Sequence, residues 1–114
     1  MEIRKNVLQS GVVVMEVTGR VCMGEECRKV EEALCVFAGA QGGKVVLDLH
    51  GVNHIDSSAI GTFVRCFTRI KNAGGTLCIA GTAGMVDKAL RMAHLDRVIG
   101  FHASANAAAD SLAK

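Results

Sequence analysis

Apolar residues along this chain switch repeatedly between two periods. Residues 12–17, VVVMEV, form a short run rich in β-branched side chains, which predicts a strand. Residues 2–8 are expected to pair with it as an edge strand across Gln9-Ser10-Gly11, a turn in which glycine supplies backbone freedom. From Gly24 to Ala38 the period becomes helical. Cys27, Val30, Leu34 and Phe37 share one side, and Glu25, Glu26, Arg28, Lys29, Glu31 and Glu32 lie mostly on the other. The Gly-Gly pair at 42–43 ends that helix, and KVVLDL (44–49) follows. Its nearly continuous apolar character is that of a parallel strand buried on both faces.

The strongest helical signal comes next. Ile60, Phe63, Val64, Phe67 and Ile70 recur at helical steps and predict one inward stripe. A second Gly-Gly at 74–75 and the run TLCIA (76–80) repeat the order helix, Gly-Gly, strand. Two copies mark successive helix-to-strand connections, not a solenoid. Residues 84–93 are expected to be helical, with either Met85, Ala89 and Met92 or Val86, Leu90 and Ala93 inward. RVIGF (97–101) predicts a short last strand, and SANAAADSLAK a terminal helix capped by Ser104. The order β-β-α-β-α-β-α-β-α predicts one α/β domain over residues 1–114. Its sheet is expected to be mixed and mostly parallel, with roughly four to five strands packed by about four helices.

Composition narrows the function classes. The net charge is only +2, and there are four Phe and no Trp or Tyr. That argues against a nucleic-acid interface, which needs a basic face or stacking platforms, and against an anionic membrane surface. Cys22, Cys27, Cys35, Cys66 and Cys78 include no C-x-x-C spacing, so bland thiols in a reducing cytosol are expected. The N-terminus has no apolar stretch of signal-peptide type, and no apolar run approaches the roughly 20 residues that span a bilayer. A cytoplasmic location, without membrane insertion, is the expectation.

The candidate chemistry gathers at Asp56-Ser57-Ser58, where a strand-to-loop segment meets the strongest helix. Asp and Ser are preferred N-caps, because a side-chain oxygen accepts an orphan N–H of the first turn. One cap needs one residue, so three small polar residues leave a hydroxyl spare. A phosphate there would face the helix N-terminal N–H groups and the positive end of the dipole. Both readings, cap and modification site, stand on the residues alone. Catalysis by these serines is not expected: the elbow G-x-S-x-G is absent, and no base is identified. His50 and His54 could pair on a metal, but no further ligands cluster near them in the sequence, so no metal is expected. His94 and His102 are isolated. GTAG (81–84) lacks the rest of a phosphate-binding loop and is expected to be a helix entry. Arg65 and Arg69 fall on the polar side of the strong helix, as a solvated face or as a docking face for an acidic partner. No cofactor and no small-molecule substrate are expected.

The segment VVLDL…VNHIDSSAIGTFVRCFTRIKNAGGTLCIAG resembles the STAS domain of bacterial anti-sigma factor antagonists. That family's pattern is a strand ending in D-L, then D-S-S/T-G/A-x-G, a helix, G-G and a strand. The resemblance implies a non-enzymatic switch. Unphosphorylated, it would bind a GHKL-type serine kinase that acts as an anti-sigma factor; phosphorylated by that kinase, it would be released; a phosphatase would reset it. Carried over by position, the acceptor is Ser58, with Ser57 as second choice, in a loop formed with Asp56 and Ala59. Thr62, Arg65 and Arg69 recur from Ser58 at helical steps and are expected to be exposed as the partner footprint. Two positions depart from the family: Cys22 stands where an acidic residue is usual, and Ala59 where Gly is commoner. The same domain also serves as a constitutive subunit of stress-signalling complexes and phospholipid transporters, and that alternative stays open.

Overall fold

A computed structural model describes residues 1–38 and 43–113. The elements are β1 (Glu2–Val7), β2 (Val13–Val21), α1 (Glu25–Ala38), β3 (Lys44–Ile55), α2 (Ser57–Asn72), β4 (Thr76–Ala80), α3 (Gly84–Met92), β5 (Gly100–His102) and α4 (Ala105–Ala113), with a 3₁₀ turn at Leu95–Arg97. They form one five-stranded sheet in the order β1-β2-β3-β4-β5. Only the β1–β2 pair is antiparallel. The reason lies in the connections: a short turn joins β1 to β2, whereas each later strand returns through a helix and therefore runs parallel. The predicted α/β order and mixed sheet are both observed.

Alternation along the strands divides the core in two. Met15, Leu47 and Ile79 point to one face, where they meet Val30 and Leu34 of α1, Phe63 and Ile70 of α2, and Val86 and Leu90 of α3. Val12, Val14, Val46, Cys78 and Ala80 point to the other, which is covered by Ala108 and Ala109 of α4. Ser104 caps α4, its Oγ accepting from Ala107 N at 3.1 Å.

Three expectations are corrected, and on α3 one of two alternatives is chosen. β3 runs to Ile55, well past its apolar stretch, because β2 continues beside it to Val21. The start of RVIGF is a 3₁₀ turn followed by Val98 and Ile99, and β5 begins only at Gly100. On α3 the inward pair is Val86 and Leu90, while Met85 and Met92 are exposed. On α2 the fully buried face is Ala59, Thr62, Phe63, Cys66 and Ile70, with Ile60, Val64 and Phe67 half-buried. The stripe is rotated because α1 packs alongside α2 and covers its Thr62–Cys66 flank. The helix break assigned to Gly42 and the inward side chain assigned to Phe37 lie outside the described residues.

Candidate functional site

Asp56 is the N-cap of α2, with extended backbone. Its Oδ1 accepts from Ala59 N at 3.0 Å, which satisfies one orphan donor of the first turn. Its Oδ2 accepts from Met23 N at 2.8 Å, so the same carboxylate ties the β2–α1 loop to the start of α2. These backbone donors, Met23 first, hold the Asp56 carboxyl below its ordinary pKa. The loop is itself closed at the far side: Glu26 Oε1 accepts from Cys22 N at 3.1 Å. Cys22 is buried, and its neighbour Met23 makes the contact to Asp56, so this loop and the serine junction are adjacent.

With Asp56 acting as cap, neither serine is needed for it. Ser57 is exposed and Ser58 half-buried, and their hydroxyls have no hydrogen-bond partner among the described residues. Both line a cleft of about 390 Å³ between the starts of α1 and α2, shared with Cys27, Arg28, Glu31 and Arg65. Ala59, the next residue, is fully buried. Its methyl group belongs to the core, which explains why a small apolar residue serves there in place of glycine.

Thr62 is where expectation and structure part. It is 1% exposed and does not present a surface to a partner. Its Oγ1 donates to Ser58 O at 2.9 Å and accepts from Arg65 Nη2 at 3.3 Å. Thr62 therefore braces the first turn from below. Burial pushes the Cys27 thiol up from its ordinary pKa, a hydrogen bond with Thr62 partly offsetting the shift. Arg65 and Arg69 are exposed, as expected. Arg65 Nε lies 3.2 Å from Glu31 Oε1, an ion pair across the helix pair, and Arg69 Nη1 lies 3.4 Å from Cys35 Sγ.

The α1 side of the cleft was not legible in the sequence. Arg28 and Glu31 belong to a helix about 30 residues upstream, and only the α1–α2 packing brings them to the serines. Arg28 is already engaged with Glu25 at 2.9 Å and Glu32 at 3.1 Å. His50 and His54 lie on β3, four positions apart and so ~13 Å along the strand, too far to share one ion. GTAG leads into α3 as expected, Ala83 taking the N-cap position.

A five-stranded mixed sheet with a serine pair at one strand-to-helix junction defines a class of small α/β modules. The STAS domain family model matches residues 4–108, and the chain belongs to that family. Solved structures agree. A STAS-domain anti-sigma factor antagonist from Planctomyces limnophilus is 26% identical, with a TM-score of 0.84 over 98% of both chains. An anti-sigma factor antagonist from Thermotoga maritima shares the fold at 18% identity, with a TM-score of 0.84 over 98% of this chain and 95% of that one. The Bacillus cell-fate determinant SpoIIAA, in its phosphorylated form, shares it at 14% identity, with a TM-score of 0.70 over 96% of this chain and 98% of that one. No curated protein matches the chain. Among the described residues, no helix is long and apolar enough to cross a membrane.

Proposed function

We propose that this chain is an anti-sigma factor antagonist, a non-enzymatic module that binds a kinase-type anti-sigma factor until Ser58 is phosphorylated. One observation carries the reading: Asp56 alone caps α2, so the two serine hydroxyls beside it are free of the fold and open to the cleft. A phosphate on Ser58 adds about −1.5 to −2 charge at the positive end of a helix, where the folded state accepts it. In a complex the same charge would be stripped of water against the partner, and binding would fail. The Planctomyces and Thermotoga relatives, both anti-sigma factor antagonists, support the class, and the Bacillus relative has been solved in a phosphorylated form.

The test is incubation with a cognate kinase and ATP, followed by mass spectrometry and a binding titration. Phosphate is expected on Ser58. Ser58→Ala should take none and bind constitutively; Ser58→Asp should fold normally and bind at least about tenfold more weakly, ~1.4 kcal/mol. Phosphate on Ser57 alone moves the acceptor by one residue. No phosphate on either serine overturns the switch and favours a constitutive subunit of a stress complex or a phospholipid transporter. Arg65→Glu checks the partner face: affinity should fall while stability stays within about 0.5 kcal/mol, as at most exposed positions.

A further inference from the structure

Asp48 and Thr62 are the buried polar residues among those described, and Asp48 is the one that carries a charge. It sits in the middle of β3, 6% exposed, with its side chain on the α4 face of the sheet. A buried carboxylate is costly unless a positive group meets it. Its Oδ1 accepts from His50 N at 3.1 Å and lies 2.9 Å from His50 Nδ1. Its Oδ2 has no hydrogen-bond partner among the described residues and is not itself buried, since no buried side-chain oxygen there lacks one. Glu16 is the register partner of Asp48 on β2, which places a second carboxylate on the same face. One ligand atom each from Glu16, Asp48 and His50 lie within 4.8 Å of one another.

We propose that Glu16, Asp48 and His50 form a binding site for one divalent transition-metal ion of the zinc class. The spacing is close. Two ligands about 2.1 Å from a tetrahedral ion are about 3.4 Å apart, so Nδ1 and Oδ1, 2.9 Å apart when hydrogen-bonded, open by about half an ångström to hold it. The site is partly pre-formed: the His50 backbone N–H holds the Asp48 carboxylate, and the strand register sets Glu16 opposite it on the same face. One side is closed by Gly81 at φ +74°. A β-carbon there would lie 2.9 Å from Asp48 Oδ1 and 2.8 Å from the His50 Cβ. A depression of about 390 Å³, lined in part by Asn6, Glu16, Asp48 and Asn106, gives an entry path. Two cations of the neighbouring strand, Arg4 and Lys5, line the same depression; Arg4 is register partner to Glu16 and pairs with Glu2 at 3.5 Å.

On binding, the ion replaces the proton held between Oδ1 and Nδ1. A neutral His50 moves that proton to Nε2 through water, a protonated one releases it to water, and in either case the ligating ring is neutral with one proton on Nε2; water fills the other positions. Two carboxylates with one imidazole suit zinc or manganese; the imidazole selects against magnesium and calcium.

The test uses the whole chain, stripped with a chelator, titrated calorimetrically with Zn²⁺ and followed by absorption with Co²⁺. One ion per chain is expected, with micromolar affinity and a cobalt spectrum free of thiolate charge transfer. His50→Ala and Glu16→Gln should each weaken binding about tenfold or more, since loss of even an outer partner of a ligand costs that much. Neither position is fully buried, so circular dichroism should show both variants folded. No saturable binding, equal affinity in both variants, or a thiolate band that assigns the ion to the cysteines would each overturn the site.

Discussion

The chain enters α2 and α3 in different ways from adjacent parallel strands. The helices end alike, each on an alanine with nearly the same backbone geometry, Ala73 and Ala93. They begin differently. Asp56 caps α2 with its side chain, whereas Ala83 at the start of α3 offers no side-chain acceptor. A helix in this fold therefore forms without a side-chain cap. The polar triplet before α2 is more than punctuation, and the second bond of Asp56, to Met23, shows what its carboxylate adds: it fixes the loop on the far side of the serine cleft.

That comparison can be broken at several depths. Phe63 on α2 and Leu90 on α3 are both fully buried. Phe63→Ala should cost about 3–5 kcal/mol and Leu90→Ala about 2–5 kcal/mol in chemical denaturation. A far cheaper Leu90→Ala would place the difference in anchoring beneath the helices and not in how they start. Phe67→Ala is expected to cost less than Phe63→Ala, because Phe67 is only half-buried.

Next in size is Asp56→Ala, which removes the cap and leaves Met23 N–H without its acceptor. A loss of about 2 kcal/mol is expected, combining a cap with a charged hydrogen bond. A loss below about 0.5 kcal/mol would show that α2 tolerates an open start as α3 does. The converse is Ala83→Ser, at an exposed residue whose extended backbone suits a cap. It should raise stability by up to about 1 kcal/mol, and no change would mean the start of α3 is satisfied by water.

The smallest effect is in acid. Asp56 has its folded pKa lowered below the ordinary value, chiefly by Met23 N–H. Its contribution is fully present above the unfolded value, near 3.8, and is lost as pH falls through the lower folded value. Asp87 in the first turn of α3 behaves the same way, its carboxylate held down by Thr82 and then Arg91. Asp56→Asn should flatten the acid limb of the stability curve and leave stability's pH dependence above pH 5 unchanged. An unaltered acid limb would remove Asp56 as a charge-dependent tie.

Much of this protein was legible in its sequence. The β-branched runs, the helical steps and the two Gly-Gly breaks reported the element order, because local period follows which side of each element loses water. The polar triplet at a strand-to-helix junction marked the site for the same reason: only certain side chains satisfy the first turn of a helix. Tertiary packing decided the rest. Thr62 is polar and on the face expected to be exposed, yet α1 covers it, and no local pattern records which flank a neighbouring helix will occupy. Arg28 and Glu31 reach the serine cleft only through that helix pair. Glu16 meets Asp48 and His50 only through the register of β2 against β3. The hydrophobic pattern shows that a strand is buried, but which polar side chains face one another depends on pairings between segments far apart in the chain, and these exist only once the sheet has formed.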